Sequence, residues 1–196
     1  MNSSKNIVWS FILLIIVAAL YRIIPGRPYG FAPQWAMAIY AGAVIKDKKW
    51  AFIMPVLSMF ISDPMFISDL FYQILYMGGI SDMQGFYEGQ WQNYLLFTLL
   101  VFVGMAIKKL NVIQIVAASF TAPTLYFLVS NFLVWASNGA TRGLNRPKDF
   151  SGLMLCYTDG IPFYKMSILA TLVFSAILFG SYIFALNYRM TAREIK

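Results

Sequence analysis

The 196-residue sequence contains no histidine and a single cysteine, Cys156. The lack of histidine excludes histidine-based catalysis, histidine metal ligands and a histidine pH switch. One cysteine cannot form an internal disulfide or a cysteine-based zinc cluster. No G-x-x-x-x-G-K-[ST] loop occurs, so the chain does not hydrolyse ATP itself. We therefore expect no catalytic residues, no metal site and no cofactor, and a protein that is not an enzyme.

Charged residues are also scarce, at 12% of the chain, whereas 60% of the residues are hydrophobic. A soluble domain is roughly half apolar and about a quarter charged. A globule of this size cannot bury such an excess, so the lipid bilayer is the expected partner of part of the surface. The net charge of +7 does not indicate nucleic acid, because the cations stand at the ends of apolar runs and no nucleic-acid motif occurs.

Six apolar stretches predict an all-α integral membrane protein with about six transmembrane helices in a single domain, residues 1–196. The first stretch follows Lys5 and has no small-x-small cleavage site after it, so we expect it to remain as a helix. The second and third are short for a full crossing. The predicted spans are about 7–24, 31–45, 50–66, 91–107, 112–136 and 167–187.

The distribution of lysine and arginine predicts the topology of these spans. The long segment 68–90 contains neither residue, whereas the short connections around 46–49 and 108–109 are rich in lysine. By the positive-inside rule both termini then face the cytoplasm. The outer segments are long and rich in glycine, proline and aromatic residues, so we expect a binding site there. These segments are 25–30, 68–90 and 137–165.

The first outer segment supplies four candidate substrate-binding residues. Three prolines and two glycines between residues 25 and 33 restrict its conformation, so it can present charge and ring faces to a ligand. Interfacial anchoring, with arginine and tyrosine reaching the lipid headgroups, explains the same residues. Both interpretations stay open for Arg22, Arg27, Tyr29 and Phe31.

Polar residues at the outer ends of two spans extend the candidate site. Asp63 precedes Pro64, and a carboxylate there needs a partner, which is either a substrate or an arginine of the first outer segment. Asn131 and Trp135 are one helical turn apart, so they share a face of the fifth span. That face either lines a pocket or joins two helices, because asparagine in lipid often bonds between helices.

The segment before the last span carries three further candidates, Cys156, Tyr157 and Phe163. Asp159 and Gly160 predict a turn ahead of the final helix. Cys156 is either a small buried residue or a soft ligand, for instance to the cobalt of a corrinoid.

Five motifs stand out along the chain: Arg22-x-x-Pro25, Pro28-x-x-Phe31-x-Pro33, Ser62-Asp63, Asn131-x-x-x-Trp135 and Gly152-Leu153-x-x-Cys156-Tyr157-x-x-Gly160-Ile161-Pro162-Phe163. Together they resemble an uncharacterised bacterial family of candidate transport proteins. That family is similar to the S components of energy-coupling-factor vitamin transporters. The resemblance implies an S-component-like bundle of six helices in the bacterial inner membrane, with a small metabolite captured beneath the outer loops.

The resemblance leaves the energy source open. S components carry an Ala-x-x-x-Ala stripe on the first helix, which docks on the membrane subunit of an ATP-driven coupling module. Here the nearest such stripe is Ala32–Ala36, in the second predicted span. The chain thus works with a coupling module or other membrane subunits, or alone, like S-component-like cobalamin importers.

We therefore expect a transporter, or a substrate-binding subunit, for uptake of a small vitamin-like metabolite. One alternative is a non-catalytic structural subunit of a membrane complex, whose outer loops contact a protein. A second is a lipid-modifying membrane enzyme with Asp63 or Asp159 as acid or base.

Overall fold

A computed structural model describes residues 21, 28, 30–61, 90–137 and 146–194. The described ranges contain five helices and no strand, which confirms the all-α prediction for this part of the chain. The predicted first span, 7–24, lies outside the described residues except for residue 21, as does the segment 62–89. The helices are α1 (Gln34–Val44), α2 (Lys48–Ile61), α3 (Gln90–Met105), α4 (Val112–Ala136) and α5 (Phe150–Glu194).

Short polar side chains begin three of these helices. A side-chain oxygen placed just before a helix accepts an otherwise unpaired backbone N–H of the first turn. Asp47 accepts from the backbone N–H of Lys49 at 3.0 Å. Asn111 accepts from Gln114 at 2.9 Å, and Asp149 accepts from Gly152 at 2.7 Å. These caps set the starts of α2, α4 and α5.

Two helices are long and apolar enough to cross a membrane. The 25 residues of α4 extend ~37 Å, which exceeds the ~30 Å of the hydrocarbon core. The most apolar stretches of α4 and α5 have mean hydropathies of 1.8 and 2.2. The other helices have 11, 14 and 16 residues, so each is shorter than the roughly 20 residues of a typical full span.

The start of α5 corrects the sequence analysis. The last span was expected at about 167–187, after an outer loop at 137–165, but the helix begins at Phe150 and continues for 45 residues. Asp159, Gly160 and Pro162 all lie within it, so the expected turn at Asp159-Gly160 is wrong. The helix persists because side chains tie it to α4, and such tertiary contacts override weak local propensity.

Helix α1 lies at the centre of the described bundle and contacts the other four helices. Eight of its 11 residues are buried. At its contact with α3, a Cβ on Gly42 would collide with the backbone oxygen of Val101, and a Cβ on Gly104 would collide with that of Ile39. The absence of side chains at both glycines therefore lets these two backbones approach closely.

The site depends on how α1, α4 and α5 run against one another. The Tyr157 hydroxyl donates to the backbone oxygen of Leu128 at 3.0 Å, and the Trp135 indole donates to Pro147 at 2.9 Å. Later positions of α4 thus meet earlier positions around the start of α5, so the two helices are antiparallel. Helix α1 runs parallel to α5, because the Gly30 end lies near Ser167 while Tyr40 lies near Phe179.

Candidate functional site

A cavity of about 210 Å³ lies between the start of α1, the second half of α4 and the middle of α5. Aromatic residues and small polar residues line it, and none of the described lining residues carries a charge. They are Gly30, Trp35, Pro123, Tyr126, Phe127, Ser130, Asn131, Val134, Gly160, Phe163, Tyr164 and Ser167.

Helical spacing brings these residues together. On α4 they recur every three or four positions from Pro123 to Val134, which places them on one face. On α5 the same spacing joins Gly160, Phe163 and Ser167. Gly30 and Trp35 complete the wall from the start of α1.

Asn131 is the most distinctive polar residue in the cavity wall. Its side-chain amide donates to the backbone oxygen of Phe127 at 2.8 Å. The side-chain oxygen has no hydrogen-bond partner among the described residues and is not fully enclosed. A Cβ built on Gly160 would stand 2.7 Å from that oxygen, so any larger residue there would force the amide to move. The cavity therefore presents one free carbonyl acceptor.

Aromatic rings form much of the remaining wall. Phe127 stacks on Tyr164, with ring centroids 4.6 Å apart, and Trp35 meets Tyr126 edge-on at 5.4 Å. Hydroxyl contacts hold two of these rings, since Tyr126 donates to Asn93 at 2.9 Å and Tyr164 lies 2.8 Å from Thr124. Rings held in this way offer a ligand flat apolar faces at little further entropic cost.

The two serines of the wall are also acceptors toward the cavity. The Ser167 hydroxyl donates to the backbone oxygen of Phe163 at 2.8 Å. The Ser130 hydroxyl donates to the backbone oxygen of Phe127 at 3.4 Å. A hydroxyl whose proton is used in this way keeps lone pairs for a ligand donor. The indole N–H of Trp35 is buried, and it has no acceptor in the part of the chain that the structure describes.

Beside the cavity, a set of side chains ties the end of α4 to the start of α5. Trp135 donates to Pro147, and its ring lies beneath the Lys148 ammonium at 5.3 Å from the ring centroid. Arg146 pairs with Asp159 at 2.5 Å, with both side chains partly exposed. We call these residues the clasp: Trp135, Arg146, Pro147, Lys148 and Asp159.

Two of the ten predicted site residues, Asn131 and Phe163, line the cavity. Trp135 belongs to the clasp, and Tyr157 bonds to α4 while its ring meets Phe127 at 5.5 Å. Cys156 is 2% exposed and is absent from the described cavity wall. Phe31 packs instead with Tyr21 and Phe174. The other four lie outside the described residues: Arg22, Arg27, Tyr29 and Asp63.

The sequence analysis missed most of the cavity wall, including Trp35, Phe127 and Tyr164. A signal was present on α4, where aromatic, polar and small residues recur with helical spacing around Asn131. The α5 residues were hidden because their segment was interpreted as a loop, which has no common face.

A larger groove of about 610 Å³ lies between α3 and α4 near Lys108. Most of the side chains in its wall are apolar, for example those of Leu99, Phe102 and Leu125. Its main neutral polar group, Gln114, already accepts from the backbone N–H groups of Lys108 and Lys109 through its side-chain oxygen. The smaller cavity has convergent polar groups that remain free, so it is the better candidate for a specific ligand.

Fold and cavity together define a class for the part of the chain that the structure describes: a helical bundle in which two helices of membrane-spanning length border a small aromatic cavity whose described wall is uncharged. By sequence, the chain belongs to the family DUF6580, described as a family of unknown function, whose model matches residues 2–193. No curated protein and no solved structure matches the chain.

Proposed function

We propose that this protein is a multi-pass membrane transporter, or the substrate-binding subunit of one, for a small vitamin-like metabolite. The observation that carries the proposal is the cavity enclosed by α1, α4 and α5, with Asn131 in its wall. It combines apolar rings with a few free polar atoms, as small-molecule sites do. The sequence motifs that resemble those of S components, such as Asn131-x-x-x-Trp135, are the second support for this proposal.

The distribution of burial supports a membrane location. A core helix of a soluble protein is mostly buried, but only 28% of the most apolar stretch of α4 and 22% of that of α5 are buried. Large apolar side chains face outward, including Ile113 at 80% exposure and Phe184 at 73%. Water is a poor solvent for such a surface and lipid a good one. We place the protein in the bacterial inner membrane, with the cavity toward the outer side.

The proposed binding cycle assigns separate roles to the cavity and the clasp. Asn131 and Phe163 contact the metabolite, while Trp135 and Tyr157 hold α4 and α5 at the separation that the cavity requires. Arg22, Arg27, Tyr29 and Asp63 remain proposed contacts of the outer segments at the mouth of the site, where Asp63 offsets the charge of an arginine. Binding orders these segments, and the bundle then tips or reopens toward the cytoplasm.

The alanines of α1 bear on how uptake is driven. Ala36, Ala38 and Ala41 are fully buried inside the bundle, or nearly so. They therefore serve contacts within the chain. Of the Ala32–Ala36 stripe only Ala32, which is half-buried and precedes α1, remains partly accessible, so a coupling module would have to dock largely on another surface. This favours a protein that works alone, or with a partner bound elsewhere.

The test is mass spectrometry of small molecules released from detergent-purified protein. We expect a metabolite from the wild type and from Thr158→Ala, whose exposed hydroxyl bonds, among the described residues, only to the backbone oxygen of Met154 in its own helix. We expect at least a tenfold loss from Asn131→Ala, since one hydrogen bond to a ligand is worth about this factor. Arg27→Ala tests the outer segment in the same way.

Two other outcomes would point to the alternatives. Wild-type protein that releases no metabolite but copurifies with another membrane protein would contradict uptake and support a structural subunit. Altered lipids in cells that overproduce the protein, lost in Asp159→Asn, would support a lipid-modifying enzyme. The ion pair of Asp159 with Arg146 argues against that role, because it holds the carboxylate in a structural contact.

A further inference from the structure

We propose that the cavity between α1, α4 and α5 takes an uncharged single-ring compound that presents an N–H donor to the side-chain oxygen of Asn131. This proposal rests on the proposed function and names the chemical class of its ligand. Its grounds are the volume of the cavity, the lack of charge in its described wall and the direction of its hydrogen bonds.

The volume sets the size of the ligand. An apolar cavity of about 150 Å³ accommodates benzene, and drug-sized ligands occupy sites of about 300–1,000 Å³. At about 210 Å³, the cavity lies between these limits. A single ring with one substituent fits this space, whereas a corrinoid or a dinucleotide does not.

The described wall sets the charge of the ligand. An ion that enters a site without a counter-charge loses its favourable hydration free energy, and no interaction in the site replaces it. None of the described lining residues is acidic or basic. In the clasp, Arg146 is paired with Asp159, and Lys148 lies over the Trp135 ring; none of these three charged residues lines the cavity. The ring faces of Phe127 and Tyr164 attract cations weakly, but they stack equally well on neutral rings. No described carboxylate lines the cavity, so no counter-charge favours a cation over a neutral ligand.

The hydrogen bonds set the polarity of the ligand edge. Asn131 spends an amide proton on Phe127 and keeps its oxygen free, while Ser130 and Ser167 direct their protons to backbone oxygens. These three side chains therefore offer acceptors to the cavity. A ligand with an amide, lactam or ring N–H complements them. A carbonyl oxygen or ring nitrogen on the same ligand can accept from the indole N–H of Trp35, which has no acceptor among the described residues. A ligand with only acceptors leaves the three side-chain oxygens unpaired, which lowers its affinity.

Three compounds of nearly equal size and shape test the charge directly: nicotinamide, which is neutral with N–H donors, nicotinate, an anion, and 1-methylnicotinamide, a cation. The measurement is the melting temperature of detergent-purified wild-type protein against the concentration of each compound, because a ligand stabilises the state that binds it. We expect nicotinamide to act at a concentration about tenfold lower than the other two. We also expect the concentration of nicotinamide that is needed to rise about tenfold in Asn131→Leu and to stay unchanged in Thr158→Ala.

The outcomes separate the ligand class from the proposed function. Equal or stronger binding of nicotinate or 1-methylnicotinamide by the wild type would overturn the neutral class while leaving a binding protein. If none of the three binds but a metabolite copurifies, its own charge decides: a neutral ring compound supports the proposal and an ion refutes it. A wild-type protein with no bound molecule and no response to any probe would refute the proposed function, and the ligand class with it.

Discussion

Gly160 shows how a single missing side chain shapes the site. Its backbone lies against the Asn131 amide, in the middle of a helix where glycine is otherwise unfavourable by about 0.5–1 kcal/mol relative to alanine. The contact distances explain the residue, because a Cβ there would stand 2.7 Å from Asn131 Oδ1 and 2.9 Å from a ring carbon of Phe127. The glycine thus holds α5 close to the wall of the cavity.

Gly160→Ala should therefore lower the stability of the protein by about 1–3 kcal/mol, the usual cost of overpacking, and should abolish ligand retention. Gly180→Ala is the matched control on the same helix, since nothing lies within 4 Å of its added Cβ. It should be neutral or stabilising by up to about 1 kcal/mol. Melting temperatures in detergent and the content of bound metabolite measure both effects. Equal behaviour of the two variants would show that the Asn131 contact is unimportant.

At the scale of the helices, the start of α5 is the feature that decides where the site forms. Asp149 caps the helix, and only this early start brings Gly160 and Phe163 onto one helical face. Losing a cap of this kind costs about 1 kcal/mol, whereas asparagine caps nearly as well as aspartate.

Asp149→Ala should thus lower the free energy of unfolding by about 1 kcal/mol, and Asp149→Asn should change it by only a few tenths. Thermal unfolding followed by tryptophan fluorescence in detergent checks the pair. A loss of the same size in both variants would mean that the charge of Asp149, and not its cap, stabilises α5.

The same two helices show how far the sequence predicts the fold. Both ends of α4 were predicted at 112 and 136, because Lys108 and Lys109 precede a long apolar run. The first 17 residues of α5 were not predicted to be helical, because Gly160 and Pro162 indicate a helix break when only the local sequence is considered. Contacts with α4 keep these residues helical, and such contacts cannot be read from the local sequence. Asn131 was predicted as a site residue because it is a polar residue in an apolar helix. Trp35 was not predicted, because nothing in the sequence distinguishes it from the other aromatic residues of the chain.

For the molecule as a whole, the largest open prediction is its orientation in the membrane. The exposed residues Lys109 and Ser137 stand just beyond opposite ends of α4. If α4 crosses the bilayer as the positive-inside rule predicts, position 137 faces outward and position 109 faces the cytoplasm.

Single cysteines at these positions test the crossing, because Cys156→Ala removes the only native thiol. On intact cells, a membrane-impermeant maleimide should label Ser137→Cys and should label Lys109→Cys only after the cells are broken. Labelling of both positions from the same side would show that α4 does not cross. The reverse pattern would invert the proposed topology and place the cavity toward the cytoplasm.

The length of α5 gives it a mechanical property. Beyond Pro162 the helix continues for a further 32 residues to Glu194, a rod of ~48 Å at 1.5 Å per residue. Proline at the cavity end removes one backbone hydrogen bond and makes that point the natural hinge. A bend of ~10° there would swing the far end by ~8 Å, by the same helix geometry. If the cavity binds a ligand as proposed, the rod would act as a lever that converts a small bend at the cavity into a larger displacement of its far end.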